Sequence, residues 1–263
     1  WNKLHDRLEK DGLLIPGEEK SFTLLPPFLK YAAAILVFLA LAVPSYFLLP
    51  ELFTGRQTKN HFIAENNNTA YDLPDGSRVF LKKGSVLSFS NGFVSKRQVL
   101  LSGEGFFDIL SDPSNPFSIK TKNANITVLG TSFNVRENNS EKTTEVLVEM
   151  GKVSVKPSGE ESPIVLSSGD FESIISQNVK KKKNPGPNYL SWKTREFRFE
   201  DHELKEVFKI LENAYNVKIN YNNQIIRKLK LTSSYHKQSI DAILKTIGTA
   251  FNLEISKNNK NNY

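Results

Sequence analysis

The chain has 263 residues, no cysteine, and 35 Lys+Arg against 28 Asp+Glu, a formal net charge of +7. This length allows two modest domains with cores of their own, and the missing thiol excludes disulfides, thiolate metal sites and cysteine nucleophiles. The positive balance suits an anionic partner, but the lysines are scattered, and the one dense run, Lys180 to Lys183, stands beside "NPGPN" and reads as a solvated linker rather than a nucleic-acid patch.

The only methionine is Met150, so Trp1 is not expected to be the natural start, and residues 1–27 precede the first apolar run. Residues 28–50 contain "YAAAILVFLALAVPSYFLL", uncharged from Tyr31 to Leu49. As a helix rising about 1.5 Å per residue, twenty residues cross a hydrocarbon core of about 30 Å. Phe28 and Tyr31 at one end, and Tyr46, Phe47 and Phe53 at the other, suit the interfacial layers. A signal peptide competes, because Ala40-Leu41-Ala42 resembles a cleavage site. The apolar run continues past it, and a retained single-pass anchor is the expectation. Lys and Arg are balanced on the two sides, so charge does not set the orientation.

From 51 to 178 the sequence reads as an all-β domain of sandwich or solenoid type. Short β-branched and aromatic runs are broken by turn chemistry, as at "LPDGS" (73–77), "SGEG" (102–105) and "LGTS" (129–132). Alternation is clear at Val79/Leu81, Leu87/Phe89 and Val153/Val155. Within "VLLSGEGFFDIL" (99–110), Glu104 stands between two glycines, which poses a choice between a catalytic loop and a β corner. Gly103 and Gly105 supply backbone freedom at a corner, and Glu104 is read as facing water there. No second acid or histidine is close in sequence, and Asp108 is about 13 Å away if the stretch is extended. Ser132 lacks the second glycine of a nucleophile elbow. The histidines at 5, 61, 202 and 236 have no metal-ligand spacing. No catalytic residue, metal site or cofactor is expected.

After a basic linker at 179–194, residues 195–263 read as a small α+β domain built as a duplicated βαβ unit. Leu204, Val207, Phe208, Leu211 and Tyr215 share one helical face. A second copy follows 36 residues on, Leu204 matching Ile240, Val207 Ile243, Phe208 Leu244 and Leu211 Ile247, and "AYNVKI" (214–219) matching "AFNLEI" (250–255). Gly248 replaces Glu212, which points to close packing of the two helices, and Asn216 and Asn252 fit left-handed helix caps. The strands expected are 197–199, 217–221, 229–235 and 253–257.

This order, with "YDLPDGSRVFLKKGSVLSF", "RQVLLSGEGFFDI", "ITVLGTSFNV", "VEMGKVSV" and "FRFEDHELKEVFKILENAYNVKI", resembles the FecR family of anti-sigma factors in the form common in Bacteroidetes. Two departures are Gly105, where alanine is usual, and Asp170, where glutamate is usual. The resemblance implies structural roles for Leu73, Pro74, Asp75 and Gly76, for Gly103, Glu104 and Phe107, and for Gly130, Thr131, Ser132, Phe133 and Asn134. It also implies a single-pass inner-membrane protein with residues 1–27 as the end of its cytoplasmic region and most of the chain in the periplasm. Such a protein holds an extracytoplasmic-function sigma factor through an N-terminal domain largely absent here, contacts the periplasmic signalling domain of a TonB-dependent outer-membrane transporter, and does not itself bind nucleic acid. The C-terminal module is similar to the secretin and TonB short N-terminal domain. Strand addition is a natural way to meet the transporter, and the edge expected to do so is Lys230, Leu231, Thr232, Ser233, Ser234 and Tyr235, where Lys228 and Lys230 guard against aggregation. The alternative is a membrane-tethered periplasmic glycan-binding module or enzyme, which would need clustered acids or exposed aromatics.

Overall fold

A computed structural model describes residues 1–13, 38, 59–138, 141–175, 178–258 and 262–263. They fall into two compact units, Trp1–Arg56 and Gln57–Tyr263. In the first, α1 (Asn2–Lys10) is a short helix that buries none of its side chains. The expected membrane span at 28–50 lies, Phe38 apart, outside the described residues. Among the described residues no helix is long and apolar enough to cross a membrane.

The second unit opens with two seven-stranded sheets. Sheet A runs in the order β1 (Lys59–Ile63), β4 (Val86–Ser90), β5 (Gln98–Ser102), β7 (Phe117–Lys120), β8 (Ala124–Val128), β11 (Lys152–Pro157) and β12 (Ile164–Ser167). Sheet B runs β14 (Asn178–Lys181), β13 (Phe171–Ile175), β10 (Thr143–Met150), β9 (Ser132–Asn138), β6 (Glu104–Asp108), β3 (Arg78–Leu81) and β2 (Thr69–Asp72). All pairs are antiparallel except β5 with β7. One core joins the sheets, with Val79, Leu81, Phe107, Phe133 and Val146 from sheet B packed with Leu87, Val99, Phe117, Ile119 and Ile126 from sheet A. A short helix, α2 (Phe93–Lys96), closes its end with Phe93.

The sheets differ in their outer faces. Strands β4, β5 and β8 alternate buried with wetter residues, as a sheet with one face in water must. Strands β6, β10 and β13 are buried at four or more successive positions, so the outer face of sheet B is covered too. The cover is the segment 188–195, whose residues are half-buried or buried. This corrects the reading of 179–194 as a solvated linker. Asn178–Lys181 is β14, paired with β13 from Glu172↔Lys181 to Ile175↔Asn178. Lys182 pairs with Glu145, and α3 (Ser191–Thr194) buries Trp192 completely. The lysines serve as the charges of an edge strand that keep it from pairing with another chain.

The C-terminal module holds β15 (Glu196–Glu203), α4 (Leu204–Tyr215), a one-turn α5 (Asn223–Ile226), β16 (Lys230–His236) and α6 (Ile240–Phe251). The two long helices begin and end 36 positions apart, at 204 and 240 and at 215 and 251. Each buries one stripe, Leu204, Val207, Phe208 and Leu211 in the first and Ile240, Ile243, Leu244 and Ile247 in the second. Asn216 and Asn252 cap them at φ of 53° and 51°, the left-handed conformation that asparagine tolerates.

Two expectations for this module need correction. Of the four strands, only β15 and β16 form; 217–221 contributes one isolated bridge, Lys218↔Asn262, and 253–257 none. The reason is that the preceding helices take up the leading amides. Val217 N–H donates to Glu212 O at 3.3 Å, Ile219 N–H to the Glu212 carboxylate at 2.8 Å, and Leu253 N–H to Gly248 O at 2.9 Å. The second correction concerns Gly248, which does not serve helix–helix packing. A Cβ there would meet Leu253 O at 3.0 Å and the Ile255 side chain at 3.1 Å. Glu212 binds the returning chain in the first copy, and Gly248 lets it close in on the helix in the second.

Candidate partner interface

The strand expected to meet a partner, β16, alternates as an amphipathic edge should. Leu231 and Tyr235 are buried in the module core, Ser233 is half-buried, and Lys230, Thr232 and Ser234 are exposed. Among the described residues it pairs only with β15, through Phe197↔Tyr235, Arg198↔Ser234 and Phe199↔Ser233, then across an irregularity to His202↔Leu231. A two-stranded sheet has two free edges, and here they are not equivalent. Asn188 lies alongside β15, where its side-chain amide donates to Arg198 O at 2.8 Å and its oxygen accepts from Arg198 N–H at 2.8 Å. The edge of β15 is thus already paired, by a side chain that imitates a strand.

That contact also fixes the direction of the opposite groups. Arg198 turns its N–H and C=O away from β16, so Arg198↔Ser234 is a non-hydrogen-bonded pair and Ser234 turns its own backbone groups to the other side. Lys237 N–H donates to Arg195 O at 2.9 Å, in the same phase. No group among the described residues takes up the Ser234 N–H and C=O. Thr232 is engaged, since its hydroxyl oxygen accepts from Asp201 N–H at 3.0 Å and so holds the irregular turn of β15, where Asp201 has a φ of 52°. Lys230 pairs with Asp201. The open stretch of the six-residue edge is therefore its far half, around Ser234.

The motif residues of the sandwich hold its turns and strands together. Leu73 is buried, and Gly76 N–H returns to Leu73 O at 2.9 Å, closing the turn with Pro74 and Asp75 at its centre. Asp75 accepts from Ser77 N–H and from Arg97, at 2.9 and 2.8 Å. Arg97, 2 % exposed, donates onward to Asn115 O and Leu110 O, tying three loops together. A Cβ on Gly130 would lie 2.6 Å from Ser111 Cα. Thr131 Oγ1 donates to Lys152 O, Ser132 Oγ to Asp108 Oδ1, and Phe133 stacks on Phe107 at 5.5 Å. Asn134 donates to Glu104 at 3.2 Å.

Glu104 does not face water, contrary to the sequence reading. It is 5 % exposed, 2.9 Å from Lys82 Nζ and 4.0 Å from Arg136, which reaches Glu145 at 3.8 Å. Its strand lies inside sheet B, between β9 and β3, so the outward direction at 104 leads under the 188–195 segment. The Tyr189 ring lies against Phe171, with centres 5.3 Å apart, and its hydroxyl is 3.4 Å from Glu145. Burial and the nearby carboxylates of Glu104 and Glu145 push its phenol well above the usual range. Lys193 sits 3.3 Å from the centre of the Phe106 ring, and burial lowers its ammonium pKa. Sequence reading missed Lys82, Arg97, Arg136, Asn188 and Trp192, because no local spacing marks their contacts.

Family models match the chain twice, as FecR protein over residues 61–154 and as FecR, C-terminal over 196–263. Together they cover more than half of its length. The chain belongs to the FecR family. No curated protein matches this FecR-family chain. Two crystal structures of a candidate anti-sigma factor from Parabacteroides distasonis ATCC 8503 are similar to it, each at 25% identity. The first has a TM-score of 0.55 and the match covers 78% of this chain and 97% of that one. The second has 0.54, with 77% and 96% covered. Membership makes the protein a signalling regulator of the anti-sigma type, with a sigma factor as its partner.

Proposed function

We propose that this FecR-family protein is a single-pass inner-membrane regulator. It relays a signal from the periplasmic signalling domain of a TonB-dependent outer-membrane transporter to a cytoplasmic extracytoplasmic-function sigma factor, and the C-terminal module receives that signal by protein contact. The uncharged run at 31–49 supports the anchor. The observation that carries the contact is the asymmetry of the two-stranded sheet, with β15 sealed by Asn188 and β16 open at Ser234. An extended segment added there gains main-chain hydrogen bonds, and the alternating side chains of β16 supply selectivity.

Ser234→Pro tests the contact, because it deletes an outward donor and no ladder bond. It is a sharper probe than Thr232→Pro, which also removes the Asp201 contact. Pull-down of the transporter's signalling domain by the full-length Ser234→Pro protein is expected to fail while its circular dichroism is unchanged. Undiminished capture by the folded variant eliminates this edge.

A further inference from the structure

The outer face of sheet B carries a set of buried side chains that belong to neither core. Phe106, Leu147, Phe171 and Trp192 are each 9 % exposed or less, yet they lie outside both the sandwich cluster and the C-terminal cluster. Phe106, Leu147 and Phe171 stand in one row across the sheet, through Phe106↔Asn134, Asn134↔Leu147 and Leu147↔Phe171. The 188–195 segment lies over that row, with Tyr189 against Phe171 and Lys193 over Phe106, and charged groups are interleaved with it. Glu145 is held by Lys182 and Arg136 and approached by the Tyr189 hydroxyl, and Lys193 lies over Phe106. A second, smaller contact joins the modules at the end of α4. Asn67 donates to Asn213 O and Ala214 O at 3.0 and 2.8 Å, and Arg195 also donates to Ala214 O.

We propose that this contact is a releasable latch: the C-terminal module is docked on sheet B in one state and swings free, with its 186–195 segment, in another. Three features of the interface support release without unfolding. Few polar contacts cross it, the Tyr189 hydroxyl 3.4 Å from Glu145 and Lys193 over the Phe106 ring, while the ion pairs of Glu145 with Arg136 and Lys182 lie on the sandwich side of residues 183–187 and survive release. It also leaves buried polar atoms without a partner among the described residues, Trp192 Nε1 and Asn134 Oδ1 among them, which weakens the closed state. Finally, a hinge is present, since residues 183–187, "KNPGP", are exposed, and Gly186 has a φ of 87° with open space on the side where a Cβ would stand. An interface of this mixed kind within one chain behaves like a transient one. A partner that prefers the undocked module opens the latch by its differential affinity alone, and opening bares Phe106, Leu147 and Phe171. The latch does not depend on which partner that is, and its test needs none.

Trp1 and Trp192 are the only tryptophans, and Trp1 is 99 % exposed, so the full chain carrying Trp1→Phe reports on the latch through Trp192 alone. In that background Glu145→Lys removes the acceptor that the Tyr189 hydroxyl approaches and sets a third cation beside Arg136 and Lys182 beneath the segment. The expected result is a red shift of Trp192 emission and a several-fold rise in acrylamide quenching, with far-UV circular dichroism unchanged, and recovery of shielding when Lys182→Glu is added. Hydrogen exchange of the Trp1→Phe chain covers the case in which Glu145→Lys does not fold. Amides of 186–195 should then exchange through an opening that leaves β9 and β10 protected. Trp192 remaining shielded in a folded Glu145→Lys chain, or 186–195 exchanging only together with β9 and β10, overturns the proposal.

Discussion

Gly103 is where the geometry makes its strongest demand on a single residue. Its φ is 100°, and a Cβ there would stand 2.5 Å from Ser85 Oγ and 2.9 Å from Ser85 Cα. Ser85 cannot simply turn away, because its Oγ accepts from Glu104 N–H at 2.8 Å and Ser85 N–H is bound to Lys82 O. Gly103→Ala therefore meets two costs, about 1–3 kcal/mol for the backbone conformation and about 1–3 kcal/mol for overpacking against a backbone atom. Gly84 separates them, since its φ is 80° but nothing lies within 4 Å of a Cβ there, so Gly84→Ala carries the first cost only. Urea unfolding of the 57–263 unit should place Gly103→Ala below Gly84→Ala by roughly 1–3 kcal/mol at unchanged m. Adding Ser85→Gly should return part of the difference. Equal midpoints for the two alanine variants would refute the close approach of the two turns.

Two further predictions concern the buried carboxylates. Glu104→Gln keeps the shape but leaves Lys82 without its counter-charge, and should cost about 1–3 kcal/mol in the same unfolding assay; a change within about 0.5 kcal/mol would return Glu104 to the solvent-facing role first read from the sequence. Glu172, 7 % exposed beside β14, has its carboxyl pKa raised, chiefly by burial. A folded-state pKa above the unfolded value means that its contribution is fully present below the unfolded pKa near 4.5 and is lost as pH rises through the folded value. Glu172→Gln should therefore raise the urea midpoint at pH 7 and leave it unchanged near pH 3, and a lower midpoint at pH 7 would contradict that sign.

The sequence by itself determined what is written in local periodicity and short turns. The 36-residue repeat located both helices and their buried stripes. The asparagines after them marked left-handed caps, because few other residues accept that conformation. "LPDGS" marked the turn that Asp75 closes, and the two-residue alternation marked strands such as β4 and β5. What tertiary structure alone decided is which polar residues leave water. Glu104 reads as a surface carboxylate, and only the arrival of β9, β10 and residues 188–195 from elsewhere in the chain buries it. The lysine run at 180–183 reads as a tether by composition, yet β13 offered an unpaired edge and Glu145 a counter-charge. Segments 217–221 and 253–257 have the side chains of strands, but the helices before them claimed their first amides. The sequence pointed to β16 as an edge, but which part of it stays open was out of reach, because that depends on strand phase, and one asparagine ten residues before Arg198 seals the opposite edge and sets that phase.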